Sequence, residues 1–96
     1  MQTLVYVGTY TEPIPFGTGQ GKGKGIHVYD LDSATGALSP RCTMSGVTNP
    51  SYLAFDPRFR FAFAVNELEQ YEGKATGTVS SFAVDPATGN LTFLSL

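Results

Sequence analysis

The sequence predicts an all-β chain, and three features carry that prediction. Its apolar residues fall in short runs rich in Val, Tyr, Phe and Thr, with no stretch of helical periodicity. Turn-forming residues separate these runs at short intervals. One eleven-residue phrase is also written twice, as YDLDSATGALS at 29–39 and FAVDPATGNLT at 82–92. The copies lie 53 residues apart and share five identical positions and three conservative ones.

Taken in order, the strands are expected at 3–11 (TLVYVGTYT), 25–32 (GIHVYDLD) and 37–44 (ALSPRCTM) in the first half. The second half offers 50–57 (PSYLAFDP), 59–68 (FRFAFAVNEL), 78–85 (TVSSFAVD) and 90–96 (NLTFLSL). A Gly-rich stretch, FGTGQGKGKG at 16–25, separates the first two, and a polar loop separates the fifth and sixth. Each copy of the phrase sits at a β-hairpin. Asp32 and Asp85 can accept backbone N–H bonds from the turn that follows, as Asx turns do. Gly36 and Gly89 supply the left-handed residue that a type I turn with a bulge requires. Local hairpin mechanics explain the phrase.

The repeat reaches beyond the hairpin. Shifted by 57 residues, LVYVGTY (4–10) falls on FAFAVNE (61–67), so the loop after this strand is four residues longer in the first copy. Short strands recurring four to a unit of about 40–50 residues are the signature of β-propeller blades. Along the fifth strand Phe59, Phe61, Phe63 and Val65 alternate with Arg60, Ala62, Ala64 and Asn66. One face carries large side chains and the other small ones, as a strand packed between neighbouring blades needs. A plain antiparallel sandwich with two similar hairpins is the competing arrangement.

Composition narrows the function classes. The 96 residues are 42% hydrophobic and 15% charged, with net charge −2. That balance lacks the clustered Lys and Arg of a nucleic-acid footprint. The low charge, against about 25% in ordinary soluble domains, suggests that much of the surface is covered. Cys42 is the single cysteine and His27 the single histidine, so neither an intrachain disulfide nor a zinc site can be assembled from them. No metal or other cofactor is expected. The apolar run from Leu4 to Val7 is too short for a signal peptide or a membrane span, which points to a cytoplasmic protein with no membrane partner.

The ordered set YVGTYT, GIHVYDLDSATGALS, NPSYLAFDP, FAVNE and TVSSFAVDPATGNLTFLS resembles the start of the lactonase family of seven-bladed β-propellers. That family includes the propeller-type 6-phosphogluconolactonases and the 3-carboxy-cis,cis-muconate lactonising enzymes. The likeness runs from about residue 4 to residue 96. It implies a hydrolase of carbohydrate metabolism that opens a sugar lactone such as 6-phosphogluconolactone. A muconate cycloisomerase and a non-catalytic propeller piece that binds or assembles are the alternatives. It also implies a frame: 1–46 as an N-terminal partial blade of three strands and 47–96 as one complete four-stranded blade. These make about one and three-quarter blades, whereas a seven-bladed ring needs about 300–350 residues. Further blades or other copies of the chain are the implied protein partners, and a small anionic lactone or sugar acid the implied ligand.

Within that frame the chemistry falls at the ends of strands facing the channel mouth. Glu67 is the candidate catalytic residue, a carboxylate able to act as general base on water or as proton donor. Asn49 and Ser51, which flank Pro50, are candidate substrate contacts together with Asn66, and Thr9 and Tyr10 hold the matching place in the first blade. Lys22, Lys24 and Lys74 lie in loops expected on the same side, where they could attract an anionic sugar phosphate or carboxylate. The glycines at 17–25 fit neither phosphate-loop pattern and read as a connector between strands. His27 reads as a surface or packing residue, and Arg58 and Arg60 fall at the opposite turn.

Overall fold

The computed structural model describes residues 3–12, 21–68, 72–73 and 77–96. Within them the chain forms seven strands: β1 (Leu4–Gly8), β2 (Ile26–Leu31), β3 (Leu38–Met44), β4 (Pro50–Phe55), β5 (Phe61–Asn66), β6 (Thr78–Val84) and β7 (Leu91–Ser95). β1–β2–β3 make one antiparallel sheet and β4–β5–β6–β7 a second, each meandering in sequence order. This is the expected all-β blade architecture.

The duplicated phrase folds into two turns with matching hydrogen bonds. Asp32 Oδ1 accepts the amides of Ala34 and Thr35 at 2.9 and 3.4 Å, and Asp85 Oδ1 those of Ala87 and Thr88 at 2.8 and 3.4 Å. The Gly36 amide donates to the Asp32 carbonyl and the Gly89 amide to the Asp85 carbonyl, both at 2.7 Å. Both glycines sit at φ +79°, a conformation that any Cβ would strain. The Asx turn and left-handed glycine read from the sequence are both present.

Two strands differ from their expected lengths. The run read as 3–11 stops as a regular strand at Gly8, where β1 crosses β4 so closely that a Cβ would collide with the Pro50 carbonyl. Pairing continues irregularly beyond it, with the amides of Gly23 and Gly21 donating to the carbonyls of Tyr10 and Glu12. The run read as 59–68 begins only at Phe61. Asp56 Oδ1 captures the amides of Arg60 and Phe61 at 2.6 and 2.8 Å, and Phe59 turns left-handed at φ +54°. A strong strand-forming side chain has been overruled by turn chemistry.

The two sheets pack face to face. Phe82 and Ile26 are fully buried, and Ala62, Ala64 and Val47 complete the centre, with Tyr6, Leu53, Phe55 and Leu91 around it. The small face of β5 therefore points inward, where alanines let the sheets approach, while Phe61, Phe63 and Val65 point outward. Tyr52 and Val79 join them in an exposed apolar face on the second sheet. Polar ties fasten the sheets at one end: the Tyr6 hydroxyl donates to the Gly89 carbonyl at 2.5 Å, and Arg41 Nε donates to that of Thr88 at 2.6 Å. Arg41 also pairs with Asp30 at 3.0 Å.

Candidate active site

The register brings the end of β1, the start of β4 and the end of β5 to one end of the molecule, called here the upper end. Glu67 follows β5 directly. Its Oε2 accepts the Tyr10 hydroxyl at 2.6 Å, and its Oε1 accepts the Ser51 hydroxyl at 3.2 Å. Tyr10 and Glu67 are 57 residues apart, the offset that superposes the two repeats, so equivalent positions of neighbouring sheets meet. A carboxylate has about four lone-pair sites, and two remain open here for water or a substrate hydroxyl. Both side chains are only partly buried, which leaves that access. The hydrogen bond to Glu67, then burial and the negative charge of Glu67, raise the Tyr10 phenol above its ordinary pKa, so it stays a proton donor.

Asn49 holds this arrangement from beneath. It is 2% exposed and takes φ +41°, a left-handed conformation that Asn tolerates better than most residues. Its Oδ1 accepts the amides of Thr11 and Glu12 at 2.9 and 3.1 Å, tying the segment after β1 to the second sheet. Its Nδ2 donates to the Glu67 carbonyl at 3.1 Å, and its own carbonyl accepts the Glu67 amide at 3.0 Å. The Glu67 backbone is thus gripped at both polar groups.

Asn66 is equally buried and equally engaged. Its Nδ2 donates to the Thr48 carbonyl at 2.8 Å, while its Oδ1 accepts the hydroxyls of Ser80 and Thr78 at 2.6 and 3.1 Å. The Thr9 hydroxyl donates to the Gly25 carbonyl at 2.7 Å, closing the base of the Gly-rich connector. Lys22 and Lys24 are exposed and alternate with Gly21 and Gly23, the two glycines paired to the end of β1. Lys74 lies outside the described residues.

The structure therefore brings Tyr10, Ser51 and Glu67 into direct contact, with Asn49 supporting them and Thr9 on the adjoining segment. Asn66 neighbours Glu67 in the chain, but its side chain faces the β5–β6 hydrogen-bond network. Thr11 and Ser80 were not singled out in the sequence; their roles depend on contacts 38 and 14 residues away. The 57-residue offset aligns Tyr10 with Glu67 in the sequence, and the structure adds that the two side chains touch. Among the described residues, no three His, Cys, Asp or Glu side chains gather in a way that could hold a metal.

The sequence pattern of the lactonase family, a 7-bladed beta-propeller, matches residues 4–96. The chain belongs to this family. Solved structures agree. A provisionally assigned 6-phosphogluconolactonase of Bacteroides fragilis is 32% identical, with a TM-score of 0.78 over 98% of this chain and 23% of that one. Its counterpart from Bacteroides uniformis is 31% identical, with a TM-score of 0.77 over 98% and 24% of the two chains. The Pseudomonas aeruginosa periplasmic gluconolactonase PpgL is 37% identical, with a TM-score of 0.73 over 97% and 23%. The chain thus spans about a quarter of the length of these structures. No curated protein matches it. Within the family frame the two sheets are a partial and a complete blade.

Proposed function

We propose that this chain supplies the first part of a propeller lactonase that hydrolyses an anionic sugar lactone such as 6-phosphogluconolactone. The observation that carries the reading is the Glu67 carboxylate, fixed by Tyr10 and Ser51 at the upper rim of a lactonase-family propeller. Glu67 takes a proton from a water molecule as the water oxygen attacks the lactone carbonyl carbon. The ring C–O bond of the resulting tetrahedral adduct then breaks, and the departing alkoxide takes the proton held by Glu67, giving the free hydroxy acid and restoring the carboxylate. Tyr10, held protonated by its bond to Glu67, donates its single phenolic proton to that carboxylate and so orients the base toward the water.

Ser51 and Tyr10 touch the substrate, while Lys22, Lys24 and Lys74 draw its anionic group toward the rim. Thr9, Asn49 and Asn66 serve the site by position, because the polar atoms of their side chains are already engaged within the fold. Later blades complete the channel and cover the apolar face of the second sheet.

An assay of the full-length protein against 6-phosphogluconolactone and a carboxymuconate tests the reading. Turnover of the lactone is expected, and none by the 96 residues alone. Cycloisomerisation of the muconate without lactone hydrolysis would instead support the muconate enzyme. Activity toward neither would support a binding or assembly module.

A further inference from the structure

The lower end of the cleft between the sheets holds a cavity of about 700 Å³, remote from Glu67. Its wall is a run of three aromatic rings. Tyr6 meets Phe55 edge-on at 4.9 Å between centroids, and Phe55 meets Phe59 at 6.1 Å. Leu4 and Val84 extend the apolar surface, and Arg58 stands on its rim.

Among the described residues, no contact offsets the backbone conformation of Phe59. It adopts φ +54°, a left-handed conformation that strains a side chain with a Cβ and leaves glycine unstrained. The turn around it is fully specified without its ring. The Phe59 amide donates to the Asp56 carbonyl at 2.9 Å, and the Asp56 carboxylate takes the amides of Arg58, Arg60 and Phe61. A glycine would make the same bonds unstrained. Nor does burial within these two sheets offset the strain, since Phe59 is 66% exposed in them. A strained backbone thus presents an open phenyl ring to a cavity.

The charges around the cavity differ in their engagement. Arg60 lies 3.9 Å from the Asp56 carboxylate and stands over the Phe61 ring. Asp85, on the far rim, has Oδ1 occupied by two turn amides. The Arg58 guanidinium has no ion pair or hydrogen bond among the described residues. An arginine offers a planar fork of donors suited to a carboxylate, and a cavity of this size suits a small ligand.

The geometry points to a second binding site here, for a small planar aromatic carboxylate. Its ring packs against Phe59 and Phe55 within the cleft, and its acid group pairs with Arg58. The site is independent of the lactonase reading, because none of its residues belongs to the Tyr10–Glu67 cluster.

The test uses 2-naphthoate as probe and neutral 2-naphthamide as its control, with methyl NMR of Leu4 and Val84 in the full-length protein. Saturable shifts at these methyls are expected, with naphthoate bound about tenfold more tightly than the amide. Arg58→Gln should abolish that preference. Phe59→Gly should weaken naphthoate at least tenfold while leaving thermal stability unchanged or higher, because it relieves the strain. Phe59→Asn, which also tolerates the left-handed conformation, should behave alike. The proposal is overturned by equal binding of acid and amide, or by shifts centred on Val65 and Val79 instead. It also fails if both Phe59 variants bind naphthoate normally, or if both are destabilised.

Discussion

The two ends of the cleft between the sheets use opposite chemistry to join the same pair of blades. At the upper end the joint is polar and centred on a buried asparagine: Asn49 binds Thr11, Glu12 and Glu67, and Tyr10 reaches across to the partly buried Glu67 carboxylate. At the lower end two hydrogen bonds, from Tyr6 and Arg41, flank an open apolar cavity. The upper end spends its left-handed residue on a buried asparagine that makes bonds with its side chain. The lower end places Phe59 in the same conformation and leaves its ring in solvent. The difference teaches that one end is built to hold groups in register, whereas the other is built with room to spare.

Removing the upper joint should have the largest structural effect. Asn49→Ala strands the amides of Thr11 and Glu12 and the carbonyl of Glu67, and puts alanine at a positive φ. A loss of about 2–4 kcal/mol is expected from denaturant unfolding. A loss below about 1 kcal/mol would show that water replaces these bonds freely and that the upper end is no better fixed than the lower.

A smaller effect separates the ends by pH. At the lower end the Asp56 carboxyl is held below its usual range, chiefly by the Phe61 amide and then by the amides of Arg60 and Arg58. A depressed carboxyl stabilises the fold above its unfolded value near 4, and that contribution is lost as pH falls through the folded value. At the upper end the Tyr10 phenol is raised, so its contribution is present below pH 10 and disappears as pH rises through the folded value. Asp56→Asn should therefore flatten the acid limb of a thermal-melting profile, and Glu67→Gln the alkaline limb. Exchange of the two effects would break the assignment.

The blades were legible because hairpins and strand alternation are local. Asp32 and Gly36, with Asp85 and Gly89, act within a few residues of one another, and the alternation of β5 states which face is small. The length of β5 was less legible, because Phe59 reads as a strand former until Asp56 is seen to capture the amides around it. The site was legible by position and illegible by partnership. Glu67, Ser51 and Tyr10 could be placed at one end from the strand order together with the blade frame that the resemblance implied. That Asn49 and Asn66 would be fully engaged depends on Thr11, Thr48 and Ser80, brought in by the approach of separate strands.

Replacement of Glu67 in the full-length protein tests the central claim most directly, with kcat on 6-phosphogluconolactone and melting temperature at neutral pH recorded together. Glu67→Gln keeps the shape and the Asn49 bonds but removes the base and the charge that raises Tyr10, so kcat should fall about 10²- to 10⁴-fold with only a modest fall in melting temperature. Tyr10→Phe should lower kcat less, and the double variant no further than Glu67→Gln alone. A Glu67→Gln protein that turns over lactone at the unmodified rate would contradict the account.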